Sequence, residues 1–467
     1  MHMLNSWVGY SVLIFSLISY ILVFFEEKIH LKRTKIIWIA NILMWVLIGI
    51  YEMKHGGKHL EAHKSFKLLA VEIGGLFLFL LVVMTYINAL TSLNVFQALR
   101  AWLLSKKLSF RSLFWITGIL TYFLSALADN LTSALLMTAI AFVVSNGNKR
   151  FIVPVFVNIV VAANAGGVWS PFGDITSLMV WTSGNVETLK FVYLLLPSIV
   201  SWLIPALIMS FFLPSEKPVS RMETIALKRG ARRTVLCFIL TIATGVSFHH
   251  ILHLPAFIGM MCGFVYLVFV SFCMTRWSNK KLLERLGFIM LTSLFITRWG
   301  EEKVLKKLGL KTERRKDVRV DVVNQLEQVE FDALFFIVGV LTTVSALQYI
   351  GFLKITGGGL YNWMGFTAAN IAIGAISAIV DNIPVMYAVL NVDLKMGLDQ
   401  WLLVTLTTGI GGSLLPIGSV AGVAVMSIYR KDYTFMSHLR WSPVIALGYL
   451  GSIGVWWLVS MWLRNSF

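Results

Sequence analysis

Two Asp-Asn pairs sit inside apolar sequence. Ser125-Ala126-Leu127-Ala128-Asp129-Asn130 reads S-A-x-x-D-N, and Ser377-Ala378-Ile379-Val380-Asp381-Asn382 reads the same. Downstream of the first copy comes Gly166-Gly167-Val168-Trp169-Ser170-Pro171-Phe172-Gly173. Downstream of the second comes Gly411-Gly412-Ser413-Leu414-Leu415-Pro416-Ile417-Gly418, so both read G-G-x-x-x-P-x-G. Two ordered matches in two halves of one chain mark an internal repeat. Oxygen-bearing side chains cluster around them. The first half has Asp129, Asn130, Thr132 and Ser133, then Asn164, Ser170, Asp174, Thr176 and Ser177. The second has Ser377, Asp381 and Asn382, then Thr407, Thr408, Ser413 and Ser419. Carboxylates, carboxamides, hydroxyls and backbone carbonyls are the ligands that hard cations prefer.

A carboxylate at membrane depth costs roughly 2.5–3.5 kcal/mol on insertion scales, so it is kept with a partner or for function. No Lys or Arg lies near Asp129, Asp174 or Asp381 within the same apolar segments. A bound cation or a proton is the neutralising partner left within those segments. The opposing reading is a set of helix caps plus one neutral, hydrogen-bonded Asp, and Pro384 close behind Asp381 favours a cap there. Glu72 and Asp332 each open an apolar run, where they either support the site or mark the membrane-water interface. His55, His59 and His63 share i, i+4, i+8 spacing, but Gly56 and Gly57 weaken a helix there. A metal site, a pH-responsive loop and a solvated interfacial loop are all open to them. His249, His250 and His253 read as headgroup neighbours in a short loop.

These residues need elements that hold polar groups inside an apolar medium. The chain has 467 residues, of which 57% are hydrophobic and 13% charged. A soluble domain carries about 25% charged residues, so a soluble enzyme or nucleic-acid binder is excluded and a polytopic membrane protein is indicated. At ~20 residues per span, the apolar runs allow about ten to twelve crossings. The net charge of +17 reads as basic cytoplasmic loops and contact with anionic lipid headgroups, not with nucleic acid. Cys237, Cys262 and Cys273 lie in or beside apolar runs without paired spacing and read as packing residues. No Lys or Arg precedes the first apolar run and no small-residue cleavage pattern follows it, so it reads as a first span.

The runs 112–145 and 366–395 are too long for one helix and too short for two crossings, and each carries an Asp-Asn pair near its middle. The stretches 164–176 and 408–420 are rich in Gly, Pro and Ser between apolar segments. Non-helical backbone at membrane depth must be buried in protein or line a wet cavity. All four places are therefore predicted as re-entrant hairpins or broken helices, in an all-α protein built from inverted repeats around a midplane site. The predicted division is 1–67 (N-terminal spans and loops), 68–213 (first repeat), 214–331 (connector) and 332–467 (second repeat). The connector holds two spans and a basic segment over 274–331 with 13 Lys or Arg, among them Lys306, Lys307, Arg314, Arg315 and Lys316. The positive-inside rule puts that segment in the cytoplasm.

The stretches 123–133, 164–177, 378–384 and 411–424 resemble the NhaD-type bacterial sodium/proton antiporters of the ion transporter superfamily. The likeness extends to Glu72, the segment after it, and Asp332. It covers most of 68–185 and 330–430. It implies an electrogenic exchanger of Na+ or Li+ for H+, multi-pass in the bacterial inner membrane, serving pH homeostasis. The transport domain would be elevator-like, with no cofactor beyond the transported ions and a homodimer left open. The important residues it implies are Asp129, Asn130, Thr132, Asn164, Asp174, Thr176, Ser177, Ser377, Asn382 and Ser419. Asp381 and Ser413 join them on the repeat pattern, and Glu72 and Asp332 are supporting acids. Na+ is expected at Asp129, Asn130, Asn164, Asp174 and Asn382. The chain departs from the family pattern at Pro416, where Ser is usual, and at Asn88, where an acid is usual. The alternatives are a sodium-coupled carboxylate symporter of the same superfamily and, more remotely, an intramembrane aspartyl protease. Symporters carry S-N-T at the hairpin tips, whereas both tips here read D-N. The protease motifs are absent.

Overall fold

A computed structural model describes residues 3–24, 29, 31–55, 60–105, 108–145, 147–214, 225–228, 230–276, 322–392 and 394–466. Among these the regular structure is helical, with no strand. Eight helices are long and apolar enough to cross a membrane, and three shorter apolar helices accompany them. The chain is thus a polytopic membrane protein. Helices of 8 and 9 residues flank the breaks, and at ~1.5 Å per residue none of these crosses a ~30 Å hydrocarbon core alone. Lys306, Lys307, Arg314, Arg315 and Lys316 of the basic segment, and Gly56, Gly57 and His59, lie outside the described residues, as does the side chain of Cys273.

The helices, in order, are α1 Trp7–Phe24, α2 Arg33–Lys54, α3 Leu60–Ser92, α4 Val95–Ser105, α5 Phe110–Ala128, α6 Asn130–Ser145, α7 Lys149–Gly167 and α8 Ile175–Thr182. A 3-10 turn, Thr188–Leu194, leads into α9 Leu195–Ser210, followed by α10 Ala231–Ile251 and α11 Ala256–Arg276. Then come α12 Val322–Glu327, α13 Phe331–Tyr349, α14 Phe352–Ile376, α15 Asn382–Leu390, α16 Leu398–Gly411, α17 Val420–Ile428, α18 Phe435–Leu439 and α19 Ser442–Ser466. They fall into two compact units. One comprises Met1–Ile73, Ser109–Glu216 and Asp332–Phe467; the other comprises Gly74–Leu108 and Lys217–Phe331.

In the larger unit the core is built on α7 and α16. Nearly every residue of both helices is buried, and each ends at one of the duplicated Gly-Gly pairs. Local signals start the first-half helices: Ser109 caps α5 by accepting from the Ser112 N–H at 3.2 Å, and Asn148 caps α7 by accepting from the Arg150 N–H at 3.0 Å. Gly166 and Gly411 exist for close approach. A Cβ at Gly166 would lie 2.0 Å from the Tyr122 carbonyl oxygen, and one at Gly411 2.0 Å from that of Gly374. Ser125 Oγ donates to the Ala163 carbonyl at 2.6 Å, and Ser377 Oγ donates to that of Thr408 at 2.8 Å. The sequence repeat is therefore a repeated packing solution, in which a serine of one helix ties down the carbonyl of the next just before its Gly-Gly end.

α2 is stapled to α13. Thr34, Trp38, Asn41 and Trp45, one stripe of the helix, donate to the carbonyls of Asp332, Phe335, Gly339 and Thr342 at 3.1, 3.0, 2.7 and 3.2 Å. Thr343 Oγ1 returns a bond to Asn41 Oδ1 at 2.7 Å. In the smaller unit, Tyr86 Oη donates to the Gly263 carbonyl at 2.6 Å and accepts from Thr241 Oγ1 at 2.8 Å. Asn88 donates to the Gln325 carbonyl at 3.1 Å. Cys237 and Cys262 are free thiols.

Candidate functional site

The two Asp-Asn pairs stand at helix junctions. α5 ends at Ala128, Asp129 takes φ 58, ψ 160, and α6 starts at Asn130. Such backbone costs roughly 1–3 kcal/mol in a residue other than glycine. The Asp129 carboxylate offsets part of it by capping α6: Oδ1 accepts from the Thr132 N–H at 2.8 Å and Oδ2 from Thr132 Oγ1 at 3.0 Å. At the second junction Asp381 has φ −40, ψ 140 and precedes α15, but its side chain makes no capping bond. The residue matching Thr132 is Pro384, which has neither an N–H nor a hydroxyl. Asp381 Oδ1 is consequently buried without a hydrogen-bond partner. The sequence argument that Pro384 makes Asp381 a cap is corrected here: Asp381 occupies the capping position without a regular capping bond, and Pro384 offers Oδ1 no donor.

The two Gly-Pro breaks repeat each other closely. Asp174, which precedes α8, has φ −145, ψ 147; Ser419, which precedes α17, has φ −144, ψ 149. Ser419 caps its helix through the Gly422 N–H, whereas Asp174 makes no such cap. Instead Asp174, 3% exposed, accepts from Asn382 Nδ2 at 2.9 Å. A carboxylate of the first half is thus held by a carboxamide of the second. The reverse exchange is made by Asn164, which donates to Ser413 Oγ and Ser419 Oγ, both at 2.9 Å, and whose Oδ1 accepts from Asn130 Nδ2 at 3.1 Å. Thr176 lies beside Asp174 and its hydroxyl acts on that carboxylate, although the buried Oγ1 makes no hydrogen bond of regular geometry. Ser133 Oγ, one turn into α6, is likewise buried without a partner.

The structure therefore joins Asn130, Asn164, Ser413 and Ser419 in one network and Asp174 with Asn382 in a second. Asp129 and Thr132 form a local pair. Ser177 Oγ reaches the Gly167 and Val168 carbonyls at 3.5 Å, and Ser377 is turned to a carbonyl. Glu72 Oε2 accepts from Tyr387 Oη of α15 at 3.3 Å, and that hydroxyl also meets Ser345 Oγ at 3.1 Å. Asp332 stands apart: it is 46% exposed and 3.9 Å from Lys32 Nζ.

Three neighbours of the site were not apparent from the sequence. Arg33, at the start of α2, acts electrostatically on Asp381, with its guanidinium 4.5 Å above the Phe336 ring. A cation from another helix thus acts on Asp381. Tyr20 of α1, whose buried hydroxyl has no hydrogen-bond partner, also feels Asp381. His438, wholly buried, contacts the second Gly-Pro break. Among the described residues no group of three or more His, Cys, Asp or Glu could hold a metal ion by itself. The site is suited to a cation held by one or two carboxylates and neutral oxygens, or to a proton on the same carboxylates.

A family model described as citrate transporter matches residues 20–409. The Na(+)/H(+) antiporter NhaD of Alkalimonas amylolytica is 44% identical over 463 residues, covering 98% of this chain and 92% of that protein. The protein of the same name from Vibrio cholerae is 43% identical over 449 residues, 96% of this chain and 91% of its own. Sodium/proton antiporter 1 of Arabidopsis thaliana is 28% identical over 476 residues, 97% of this chain and 73% of that protein.

Proposed function

The chain belongs to the NhaD-type sodium/proton antiporter family, within the wider citrate-transporter family, and from that premise we infer that it exchanges Na+ for H+ across a bacterial inner membrane. It is a transporter, not an enzyme, and the aspartyl-protease alternative falls with that. The observation that carries the reading is the buried Asp174 carboxylate of one half bonded to Asn382 of the other. An ionised Asp174 offers a cation a full negative charge. Asn382 and Thr176 stand beside it, Asp381 adds a second carboxylate with one open oxygen, and the neighbouring Asn164 network offers further neutral oxygens. A proton on Asp174 cancels the charge that attracts Na+, so the two ions occupy the site in turn. Li+, smaller and equally hard, is expected to substitute for Na+.

Residues 68–213 and 332–467 are taken as inverted repeats whose Asp-Asn hairpins and Gly-Pro breaks meet at the bilayer midplane, in an elevator-type carrier. The matched backbone angles at Asp174 and Ser419 and the matched serine-to-carbonyl bonds support this. A homodimer is compatible with it. Residues 1–67 then belong with the repeats through the α2–α13 staples, and 214–331 is the connector.

The second reading, a sodium-coupled carboxylate symporter, draws on the description of the matching family. Against it, a buried carboxylate repels an anionic substrate. Proteoliposomes separate the two. A Na+ gradient should drive protons the opposite way with no uptake of labelled succinate. Succinate accumulation without proton movement would overturn the antiport reading.

A further inference from the structure

The second Gly-Pro break is held from outside its own repeat motif. His438 Nε2 lies 2.9 Å from the Ser413 carbonyl oxygen, and its Nδ1 lies 2.5 Å from Tyr433 Oη. A carbonyl only accepts, so Nε2 carries the hydrogen and the Tyr433 hydroxyl donates to Nδ1. The neutral ring is satisfied at both nitrogens. His438 sits on α18, a helix of five residues started by a reciprocal capping box between Thr434 and Ser437. Four residues further on, Ser442 Oγ donates to the Leu414 carbonyl at 2.5 Å. Two consecutive peptide carbonyls of the break are thus fixed from the segment 433–442. Phe156 of α7 packs edge-on against Tyr433 from the other side, with ring centroids 5.8 Å apart.

The fixed peptide carries a side chain that matters. Ser413 Oγ accepts from Asn164 Nδ2, and Asn164 is the link between Asn130 and Ser419. In the first repeat the equivalent residue is Val168, which has no hydroxyl; its carbonyl is approached by Ser177 of the adjoining helix. The external tie and the extra hydroxyl occur together, in the second break.

We propose that His438 is a positioning residue for ion binding: by holding the Ser413 peptide it delivers the Ser413 hydroxyl to Asn164. The proposal rests on the reading of Asn164 and Ser413 as part of the ion site. It assigns His438 no proton to transport.

Na+-driven proton flux in proteoliposomes tests it with Ser413→Ala, His438→Ala, His438→Gln and Ser442→Ala. Losing one buried hydrogen bond is expected to raise the apparent KM for Na+ about tenfold in Ser413→Ala and His438→Ala, with the maximal rate within about threefold of native. His438→Gln retains a donor for the Ser413 carbonyl and should restore most of the affinity. Ser442→Ala, a milder change, should raise KM in the same direction and decides the matter should His438→Ala fail to fold. A native KM in Ser413→Ala would sink the place of Ser413 in the ion site. An impaired Ser413→Ala with native His438→Ala and Ser442→Ala would overturn the positioning role alone. So would a His438→Gln variant as poor as His438→Ala, or one whose pH profile shifts, since the latter would make His438 a proton carrier.

Discussion

Asp174→Asn separates charge from shape at the centre of the site. The substitution keeps the size of the side chain and an oxygen able to accept from Asn382 Nδ2, the bond now made at 2.9 Å. It removes one negative charge from a group that is 3% exposed, where solvent screening is slight. A cation about 4 Å from a carboxylate gains roughly 4 kcal/mol at an effective dielectric constant of about 20. That corresponds to about 10³ in affinity. Apparent Na+ affinity should fall by that order. Proton counter-movement should vanish altogether, because an amide cannot carry a proton in one state and release it in the other. The fold should survive, since an isosteric amide leaves no cavity and no stranded Asn382 donor. The assay is a Na+ pulse to proteoliposomes containing a pH-sensitive dye, with monodispersity in detergent as the control for folding. Exchange at the native rate would refute the reasoning, because Asp174 would then not be the shared carrier.

The neutral ligands should behave differently. Asn164→Ala, Thr176→Ala and Asn382→Ala are expected to raise the apparent KM for Na+ more than they lower the maximal rate; a pure rate loss in all three would make them supports of the helix breaks. Arg33→Gln should lower the melting temperature, whereas Asp381→Asn, which removes a buried charge, should not; Arg33→Gln should then cost less in the Asp381→Asn background, by a coupling of about 1–2 kcal/mol. Strict additivity would remove Arg33 as the counter-charge of Asp381. Gly411→Ala should cost about 1–3 kcal/mol or more through overpacking, because its Cβ would lie 2.0 Å from the Gly374 carbonyl oxygen, whereas Gly49→Ala meets nothing within 4 Å and serves as control. Equal thermal stability of the two would show that the close approach at the break is not needed.

The breaks were legible because their requirements are local. A helix that must end against a neighbour's carbonyl needs Gly at Gly166 and Gly411, and an Asp-Asn pair in an apolar run stands out against its surroundings. The pairing of Asp174 with Asn382 was legible only as membership of one site, since which half's carboxylate meets which half's amide depends on how the halves interlock. The difference between the two Asp-Asn junctions could have been read from the third residue on. Thr132 supplies a donor to Asp129, and Pro384 cannot supply one to Asp381. Arg33 and Tyr20 escaped notice because they stand far away in the chain and carry no motif. The α2 stripe Thr34, Trp38, Asn41, Trp45 does have helical spacing, but its partners are backbone carbonyls of α13, which leave no mark in sequence. His438 was hidden for the same reason, its partner being the Ser413 carbonyl.

The central claim is that Na+ and H+ take turns on one buried carboxylate site. Na+ binding to the purified protein in detergent, followed calorimetrically in buffers of different ionisation enthalpy, tests it most directly. Linkage predicts that each Na+ bound displaces protons and that apparent affinity improves about tenfold per pH unit while one proton competes, levelling off once the site is ionised. In Asp174→Asn the proton release that accompanies Na+ binding should be lost. A Na+ affinity that stays constant between about pH 6 and 9 with no proton release would contradict the account, because linkage forbids that result for ions sharing a titrating site.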